Sequence, residues 1–184
     1  MNDRYTVITG GPGSGKTTLL EALAAKGFDC RPEGGRAVIR AQTAIDGPAL
    51  PWRDRHRFAE QLLGWDLRSH AEAAGTGTGP VFFDRGVVDI IGYLRLEGLP
   101  VPAHLDRAAR RLRYHRRVFV APHWPGIYRR DAQRRQDAEL AERTCRVVTA
   151  AYRDYGYRPV ALPRTGVAAR VEWLLDRLRD NGPD

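Results

Sequence analysis

Gly10-Gly11-Pro12-Gly13-Ser14-Gly15-Lys16-Thr17 follows a short run of β-forming residues, Tyr5 to Thr9, and leads into a segment of helix formers, Lys16 to Lys26. The octapeptide matches the pattern G-x-x-x-x-G-K-[ST] at every fixed position. A glycine-rich turn between a strand and a helix is the arrangement that this pattern needs in order to enclose phosphate groups. The segment therefore predicts a P-loop domain that binds a nucleoside triphosphate.

Each residue type in this loop has a physical reason to be there. Glycines allow consecutive backbone N–H groups to turn inward around phosphate oxygens, and the start of the helix adds its positive dipole. Lys16 would reach the β- and γ-phosphates, and the Thr17 hydroxyl would be a ligand of Mg²⁺. The alternative is a glycine-rich turn that caps a helix by chance, which average residue frequencies allow in on the order of 1% of chains this long. The predicted nucleotide is ATP with Mg²⁺, bound by Gly11, Pro12, Gly13, Ser14, Gly15, Lys16, Thr17 and Thr18.

Strand-like and helix-like segments alternate along the rest of the chain. This alternation predicts an α/β domain with a parallel sheet that is covered on both faces. We expect a P-loop NTPase fold with a five-stranded parallel sheet in the order 2-3-1-4-5, flanked by helices, in a single domain over residues 1–184. The predicted strands are 5–9, 28–31, 81–84, 117–121 and 159–162. The predicted helices are 16–26, 36–44, 53–70, 87–96, 103–114, a late helix ending near 152, and 167–179.

The strand Val81-Phe82-Phe83-Asp84 is apolar until it ends on an acid. This is the Walker B form, in which a buried strand delivers one carboxylate to the metal. The alternative is a strand that ends in an ordinary surface acid. Together with the loop, the pattern predicts that Thr17 and Asp84 hold Mg²⁺.

The residue after this acid separates two classes of P-loop protein. A hydrolytic motor usually has a glutamate there to activate water, whereas this chain has Arg85. The Asp84-Arg85 pair resembles thymidylate kinases and, more loosely, the Glu-Arg-Ser turn of deoxynucleoside kinases, in which the arginine holds the acceptor and the transferred phosphate. The alternative is an ordinary surface charge. Asp89, one helical turn later, is predicted to bind acceptor hydroxyls.

Several further stretches together resemble one family. They are Pro32-Glu33-Gly34-Gly35-Arg36-Ala37-Val38-Ile39-Arg40, Phe83-Asp84-Arg85-Gly86-Val87-Val88-Asp89, Tyr128-Arg129-Arg130-Asp131-Ala132-Gln133-Arg134 and Tyr155-Gly156-Tyr157. The set resembles small bacterial proteins classed as AAA-type ATPases but built like kinases, akin to the ribosylnicotinamide-kinase domain of NadR. The resemblance extends from about Tyr5 to Leu175, and it implies a kinase fold without indicating the acceptor.

By this resemblance, Glu33 corresponds to the carboxylate that takes the proton from the acceptor hydroxyl in deoxynucleoside kinases. Those kinases have Glu-Pro at this point, whereas this chain has Pro32-Glu33. The alternative is that Glu33 is a solvated loop acid or the cap of the next helix. Arg36 and Arg40 follow the second strand beside the expected γ-phosphate and are predicted to bind the substrate.

The arginine-rich segment at about 126–137 resembles the lid of nucleoside-monophosphate kinases. Arg130 is predicted to contact the nucleotide and Arg134 to stabilise the charge that develops during transfer. The two residues are four apart and would share a helix face. The alternative is a basic helix end exposed to solvent. The predicted catalytic residues are thus Lys16, Glu33, Asp84, Arg85 and Arg134.

The amino-acid composition and the net charge restrict the kinds of partner that we expect this chain to bind. The formal net charge is +8, but Lys16 and Lys26 are the only lysines among the 30 basic residues. The arginines are scattered through helix-like segments, which argues against nucleic acid and favours an anionic small substrate. No apolar run approaches the roughly 20 residues that a membrane span needs. No signal peptide is visible, and the two cysteines match no metal or redox spacing, so we expect a cytoplasmic monomer or homodimer.

Two functions from different classes fit these features. The first is a Mg·ATP-dependent phosphotransferase that moves the γ-phosphate to a hydroxyl of a small molecule, such as a nucleoside-like metabolite or an antibiotic. The alternative is a regulatory ATPase that is switched by its nucleotide, hydrolyses slowly and has no acceptor. An AAA+ motor would need a helical lid domain and a hydrolytic glutamate, and a Ras-type GTPase would need an Asn-Lys-x-Asp motif. The sequence provides none of these.

Overall fold

A computed structural model describes residues 1–124 and 138–180. Five parallel strands form one sheet in the order β2-β3-β1-β4-β5, which confirms the predicted order. β1 is the central strand, and β3 and β4 pair with it on either side. The strands are β1 (Tyr5–Gly10), β2 (Asp29–Arg31), β3 (Val81–Asp84), β4 (Arg117–Ala121) and β5 (Arg158–Ala161).

Helices cover both faces of the sheet. The helices are α1 (Lys16–Ala25), α2 (Gly34–Ala44), α3 (Arg55–Ala74), α4 (Val87–Leu96), α5 (Ala103–Arg111), α6 (Ala138–Asp154) and α7 (Val167–Arg179). Successive side chains of a strand point to opposite faces. Phe82 therefore packs in the core beneath α1 and α7, while Phe83 packs in the core beneath α3, α4 and α6. None of the helices in these two ranges is both long enough and apolar enough to cross a bilayer.

Two helices begin at residues other than the predicted ones, and a capping hydrogen bond accounts for the start of α3. α3 begins at Arg55 because the carboxylate of Asp54 accepts a hydrogen bond from the backbone N–H of Arg57 at 3.0 Å. This contact satisfies one of the free N–H groups of the first turn. α2 begins at Gly34, two residues before the predicted start, and Glu33 is its N-cap residue. Glu33 thus lies at the junction between β2 and α2.

The sheet brings three chain segments together at one edge. Parallel strands end on the same side, and Ile8 of β1 is in register with Asp84 of β3. Arg31, the last residue of β2, is in register with Phe83. The glycine-rich loop after β1, Glu33 after β2 and Asp84 at the end of β3 therefore lie at the carboxyl edge, where ligands bind in open α/β sheets.

Candidate active site

The loop between β1 and α1 has the backbone conformation of a phosphate cradle. Gly15 is in the left-handed region, with φ 81°, and immediately precedes the first residue of α1. Residues with a Cβ atom rarely adopt this conformation. At Gly11 the constraint is proximity, because a Cβ atom there would collide with the carbonyl oxygen of Ala141 in α6. The loop is therefore held between the central strand and α6, with the N-terminus of α1 behind it.

Lys16 is folded back onto this loop. Its ammonium group donates hydrogen bonds to the carbonyl oxygens of Gly11, at 2.8 Å, and Gly10, at 3.2 Å. The residue is only 4% exposed, so its charge is held in a largely desolvated position next to the cradle. A cation in such a position attracts phosphate oxygens more strongly than one in bulk water would.

Thr17 and Asp84 fit the predicted Mg²⁺ site. Thr17 is exposed in the first turn of α1. Asp84 is 6% exposed, and its Oδ1 atom accepts no hydrogen bond from any described residue. A buried carboxylate oxygen without a donor is suited to a cation, and Mg²⁺ commonly uses one or two protein ligands together with phosphate oxygens. The assignment of Thr17 and Asp84 to the metal stays a prediction.

Burial raises the pKa of Asp84 to about 6. Lys16 and Arg85 oppose this shift, whereas Glu33 and Asp89 add to it. The main cause is the loss of water around the carboxylate, which costs free energy unless a positive charge compensates it. A bound divalent cation would supply that compensation.

Arg85 links the ends of two strands. Its Nε donates to Glu33 Oε1 at 3.0 Å, and its Nη1 donates to Asp89 Oδ1 at 3.1 Å. Its backbone has φ 71°, which is uncommon for a residue with a side chain, and its N–H donates to the carbonyl oxygen of Ile8 at 3.0 Å. A conformation of this kind costs of order 1–3 kcal/mol and persists where the surroundings hold it. The Glu33–Arg85 pair therefore lies directly beside Asp84.

Asp89 supports this arrangement from within the protein. Its Oδ1 also accepts a hydrogen bond from the hydroxyl of Thr9 at 2.5 Å. Its Oδ2 accepts from the N–H of Gly86, at 3.0 Å, and from the hydroxyl of Tyr152 in α6, at 2.7 Å. Both carboxylate oxygens are thus used to position Arg85 and to connect it with β1 and α6. Contact between Asp89 and acceptor hydroxyls stays a prediction.

The other predicted residues are placed in different ways. Arg36 and Arg40 are exposed on α2, four residues apart, and their contact with a substrate stays a prediction. Arg130, Arg134 and the rest of the predicted lid at 126–137 lie outside the described residues.

One acidic residue near the site, Asp66 of α3, was not predicted from the sequence. It is partly buried, and it lies within electrostatic range of Glu33, Arg85 and Asp89. No described group donates a hydrogen bond to it. The signal that could have found it is its spacing, because Asp66 lies four residues after Leu62 on the helix face that packs against the core. A lone acid on a helix otherwise resembles any solvated side chain.

Comparisons with known proteins agree with this geometry. The sequence model of a family described as an AAA domain matches residues 5–170. No curated protein sequence matches the chain significantly. Among solved structures, the chain is similar to deoxyadenosine kinase from M. mycoides with bound dATP, at 13% identity and a TM-score of 0.56, over 96% of this chain and 100% of that one.

Two other solved structures have similar folds. Thymidylate kinase from Ehrlichia chaffeensis matches at 15% identity and a TM-score of 0.63, over 95% of this chain and 98% of that one. Shikimate kinase from Acinetobacter baumannii in complex with shikimate matches at 11% identity and a TM-score of 0.54, over 98% of this chain and 96% of that one. At these identities the similarity concerns the fold, which is that of small P-loop kinases.

Proposed function

The chain belongs to the AAA-domain family, and we propose that it is a Mg·ATP-dependent phosphotransferase that moves the γ-phosphate to a hydroxyl of a small molecule. One observation carries the proposal, namely the ion pair between Glu33 and Arg85 beside Asp84. It holds a carboxylate that follows β2 next to the residue after Asp84, at the carboxyl edge of the sheet. A carboxylate held there by an arginine is suited to orienting an acceptor hydroxyl.

In this proposal each residue of the candidate active site has a separate role. Lys16 and the loop N–H groups bind and orient the triphosphate. Thr17 and Asp84 would hold Mg²⁺, which would supply positive charge to the phosphate oxygens. Glu33 accepts the proton of the acceptor hydroxyl as the new oxygen–phosphorus bond forms. The bond between the γ-phosphorus and the bridging oxygen breaks, and ADP leaves with that oxygen.

The nature of Arg85 supports transfer to an acceptor over transfer to water. A guanidinium group has no acceptor atom and does not lose its proton, so it cannot activate water as a base. Its two carboxylate partners fix its orientation. Fixed orientation is what phosphoryl transfer mainly needs, because the protein supplies positioning and charge stabilisation. The solved small-molecule kinases with this fold support the same class of reaction.

Acceptor-dependent ADP formation tests the proposal. With ATP and Mg²⁺ alone, we expect slow ADP release, because a transferase keeps water from its phosphate until the acceptor is bound. A low-molecular-weight extract of bacterial cells, freed of nucleotides, should raise the rate at least about tenfold, in the range that an oriented acceptor provides. Lys16→Ala protein with the same extract corrects for contaminating enzymes. An unchanged rate with the extract would favour the alternative of a slow, nucleotide-switched regulatory ATPase.

A further inference from the structure

Arg170, near the N-terminus of α7, is a buried arginine. Only 2% of its surface is exposed, and burial lowers the pKa of its guanidinium group. Helical side chains tilt towards the N-terminus, so the positive end of the helix dipole also opposes this charge. A buried arginine costs free energy unless its N–H groups have acceptors. The contacts of Arg170 must therefore offset both effects.

The guanidinium group of Arg170 joins three segments of the chain. Its Nη1 donates to the carbonyl oxygen of Ser14 in the glycine-rich loop at 3.0 Å. Its Nε donates to the carbonyl oxygen of Pro163, which follows β5, at 2.8 Å. The guanidinium carbon also lies over the ring of Trp124, which follows β4, at 5.0 Å from the ring centroid. Two hydrogen bonds and a stacked ring together fix the position of this group.

Ser14 is held at its hydroxyl as well as at its carbonyl group. The residue is 1% exposed, and its hydroxyl donates to the carbonyl oxygen of Gly11 at 2.8 Å. Gly11 in turn lies against the carbonyl oxygen of Ala141 in α6. The loop is therefore fixed by α6 at Gly11 and by α7, through Arg170, at Ser14.

The hydrogen bond to Ser14 also orients the N–H group of the next residue. A peptide group is planar, and in its trans form the C=O and N–H bonds point in opposite directions. Residues 1–124 and 138–180 contain no cis peptide bond. Because the Ser14 carbonyl oxygen is directed at Arg170, the Gly15 N–H points away from Arg170. An N–H group turned into the loop in this way is available to a phosphate oxygen.

A glycine-rich loop needs a restraint of this kind. Gly10, Gly13 and Gly15 have positive φ values of 133°, 70° and 81°. Glycine has the widest choice of backbone conformations and loses the most conformational entropy when it is fixed. A loop that is already fixed before its ligand arrives binds more tightly, because this cost is not incurred on binding. The hydrogen bond from Arg170 to Ser14 contributes such a restraint.

We propose that Arg170 is a positioning residue for Mg·ATP, which holds the Ser14–Gly15 peptide so that the Gly15 N–H is presented to a phosphate oxygen. Arg170 acts through the backbone of the loop and does not itself contact the nucleotide. The inference rests on the nucleotide-binding part of the proposed function, and it adds a residue more than 150 positions away in the sequence to the phosphate site.

Replacing Arg170 with methionine tests this assignment, because methionine keeps an unbranched apolar side chain and removes the donors. The affinity for a non-hydrolysable ATP analogue with Mg²⁺ should fall at least about tenfold, as expected when one hydrogen bond to a charged group is lost. The affinity for tripolyphosphate with Mg²⁺, measured by the same calorimetry, should fall by the same factor. A loss confined to the ATP analogue would mean that Arg170 acts on the nucleoside, and the inference would be wrong.

Two further arginine variants serve as controls. Arg179→Met removes the same charge from the same helix, at an exposed side chain that is paired with Asp176 at 3.5 Å, and its affinity should stay within about twofold of the wild type. Arg170→Lys should recover part of the affinity, because an ammonium group can still donate to the Ser14 carbonyl oxygen.

Lys16→Ala distinguishes the failure of this inference from the failure of the proposed function. Reduced affinity in Lys16→Ala together with wild-type affinity in Arg170→Met would overturn the inference alone. Wild-type affinity in both variants would overturn nucleotide binding at the loop and the inference with it.

The NMR signal of the Gly15 amide separates positioning from a general effect on the fold. The sequence has two serines, Ser14 and Ser69, and a glycine follows Ser14 alone. Protein made by cell-free synthesis with ¹³C in the serine carbonyl groups and ¹⁵N in glycine therefore gives one doubly labelled amide signal, that of Gly15. In the wild type this signal should move when tripolyphosphate and Mg²⁺ are added. In Arg170→Met it should differ from the wild type before any ligand is added and should move less.

Thermal unfolding completes the test. A lower melting temperature for Arg170→Met, together with the wild-type Gly15 signal and wild-type affinity of the folded protein, would assign Arg170 to the fold and overturn the inference. Arg170→Gln is neutral and shorter and is measured in the same way if the methionine variant does not fold. The same reduced affinity and the same displaced Gly15 signal are expected for it, and wild-type values for both would overturn the inference.

Discussion

Replacing Lys16 with alanine should lower the affinity for Mg·ATP by at least about 100-fold. A hydrogen bond from a charged donor contributes about 1.5–3 kcal/mol, and two such contacts to phosphate oxygens correspond to about two orders of magnitude in affinity. The Lys16 ammonium group already lies 2.8 Å from the Gly11 carbonyl oxygen of the cradle, so little reorganisation is needed before it binds. Isothermal titration calorimetry with a non-hydrolysable ATP analogue measures the effect.

The chain contains its own control for this experiment. Lys26 is the other lysine, and it is exposed at the opposite end of the same helix, α1. Lys26→Ala removes the same charge from the protein without touching the loop, so its affinity should stay within about twofold of the wild type, as for most surface changes. Equal affinities for Lys16→Ala and the wild type would refute the P-loop interpretation.

Glu33→Gln should reduce acceptor-dependent turnover by about 100- to 10,000-fold and leave ATP affinity unchanged. The amide oxygen can still accept the hydrogen bond from Arg85 Nε, which is 3.0 Å from Glu33 Oε1, so the geometry of the pair is preserved. The amide cannot take up the proton of the acceptor hydroxyl, and general-base catalysis accounts for a rate factor of this size. Single-turnover measurements at saturating ATP check the prediction.

Asp84→Asn is the companion variant, because it should act on the metal. Its affinity for ATP should fall when Mg²⁺ is present and should match that of the wild type in the presence of EDTA. If Glu33→Gln and Asp84→Asn lost ATP affinity equally, the division of labour between the two carboxylates would be wrong.

The sequence predicted the sheet well because its signals are local. The buried β3 strand is apolar at every position until Asp84, and the loop after β1 has a pattern that few unrelated chains share. Such runs are recognisable without knowledge of distant contacts. The predicted strand order was confirmed by the hydrogen-bonded pairs of the sheet.

Helix ends and side-chain partners were predicted less well, for physical reasons. The start of α3 depends on one hydrogen bond to Asp54, and α5 ends at Arg111, three residues before the predicted end, where Leu112 is extended. Side-chain contacts in the candidate active site were difficult to predict for the same reason, because they join residues that are distant in the sequence. Asp89 and Arg85 are four residues apart, which suggested proximity, but the hydrogen bond from Tyr152 to Asp89 joins residues 63 positions apart. No local pattern encodes such a contact.

Asp66 is the clearest case of information that only the fold supplies. Burial raises its pKa to about 8, and the charges of Asp89 and Glu33 add to this rise while Arg85 opposes it. In the sequence these residues are spread over more than fifty positions, and Asp66 stands between Trp65 and Leu67 without a motif. The rise in its pKa follows from burial and neighbouring charge, both of which are tertiary properties.

The destination of the γ-phosphoryl group tests the central claim most directly. ATP whose non-bridging γ-oxygens carry a heavy oxygen isotope should be incubated with the wild-type protein, Mg²⁺ and the metabolite extract, and the products analysed by mass spectrometry. A kinase transfers the phosphorus together with these oxygens, so we predict an organic product heavier by one labelled phosphoryl group, which is absent with Lys16→Ala and strongly reduced with Glu33→Gln. Label that appears only in inorganic phosphate, at a rate independent of the extract, would contradict the account.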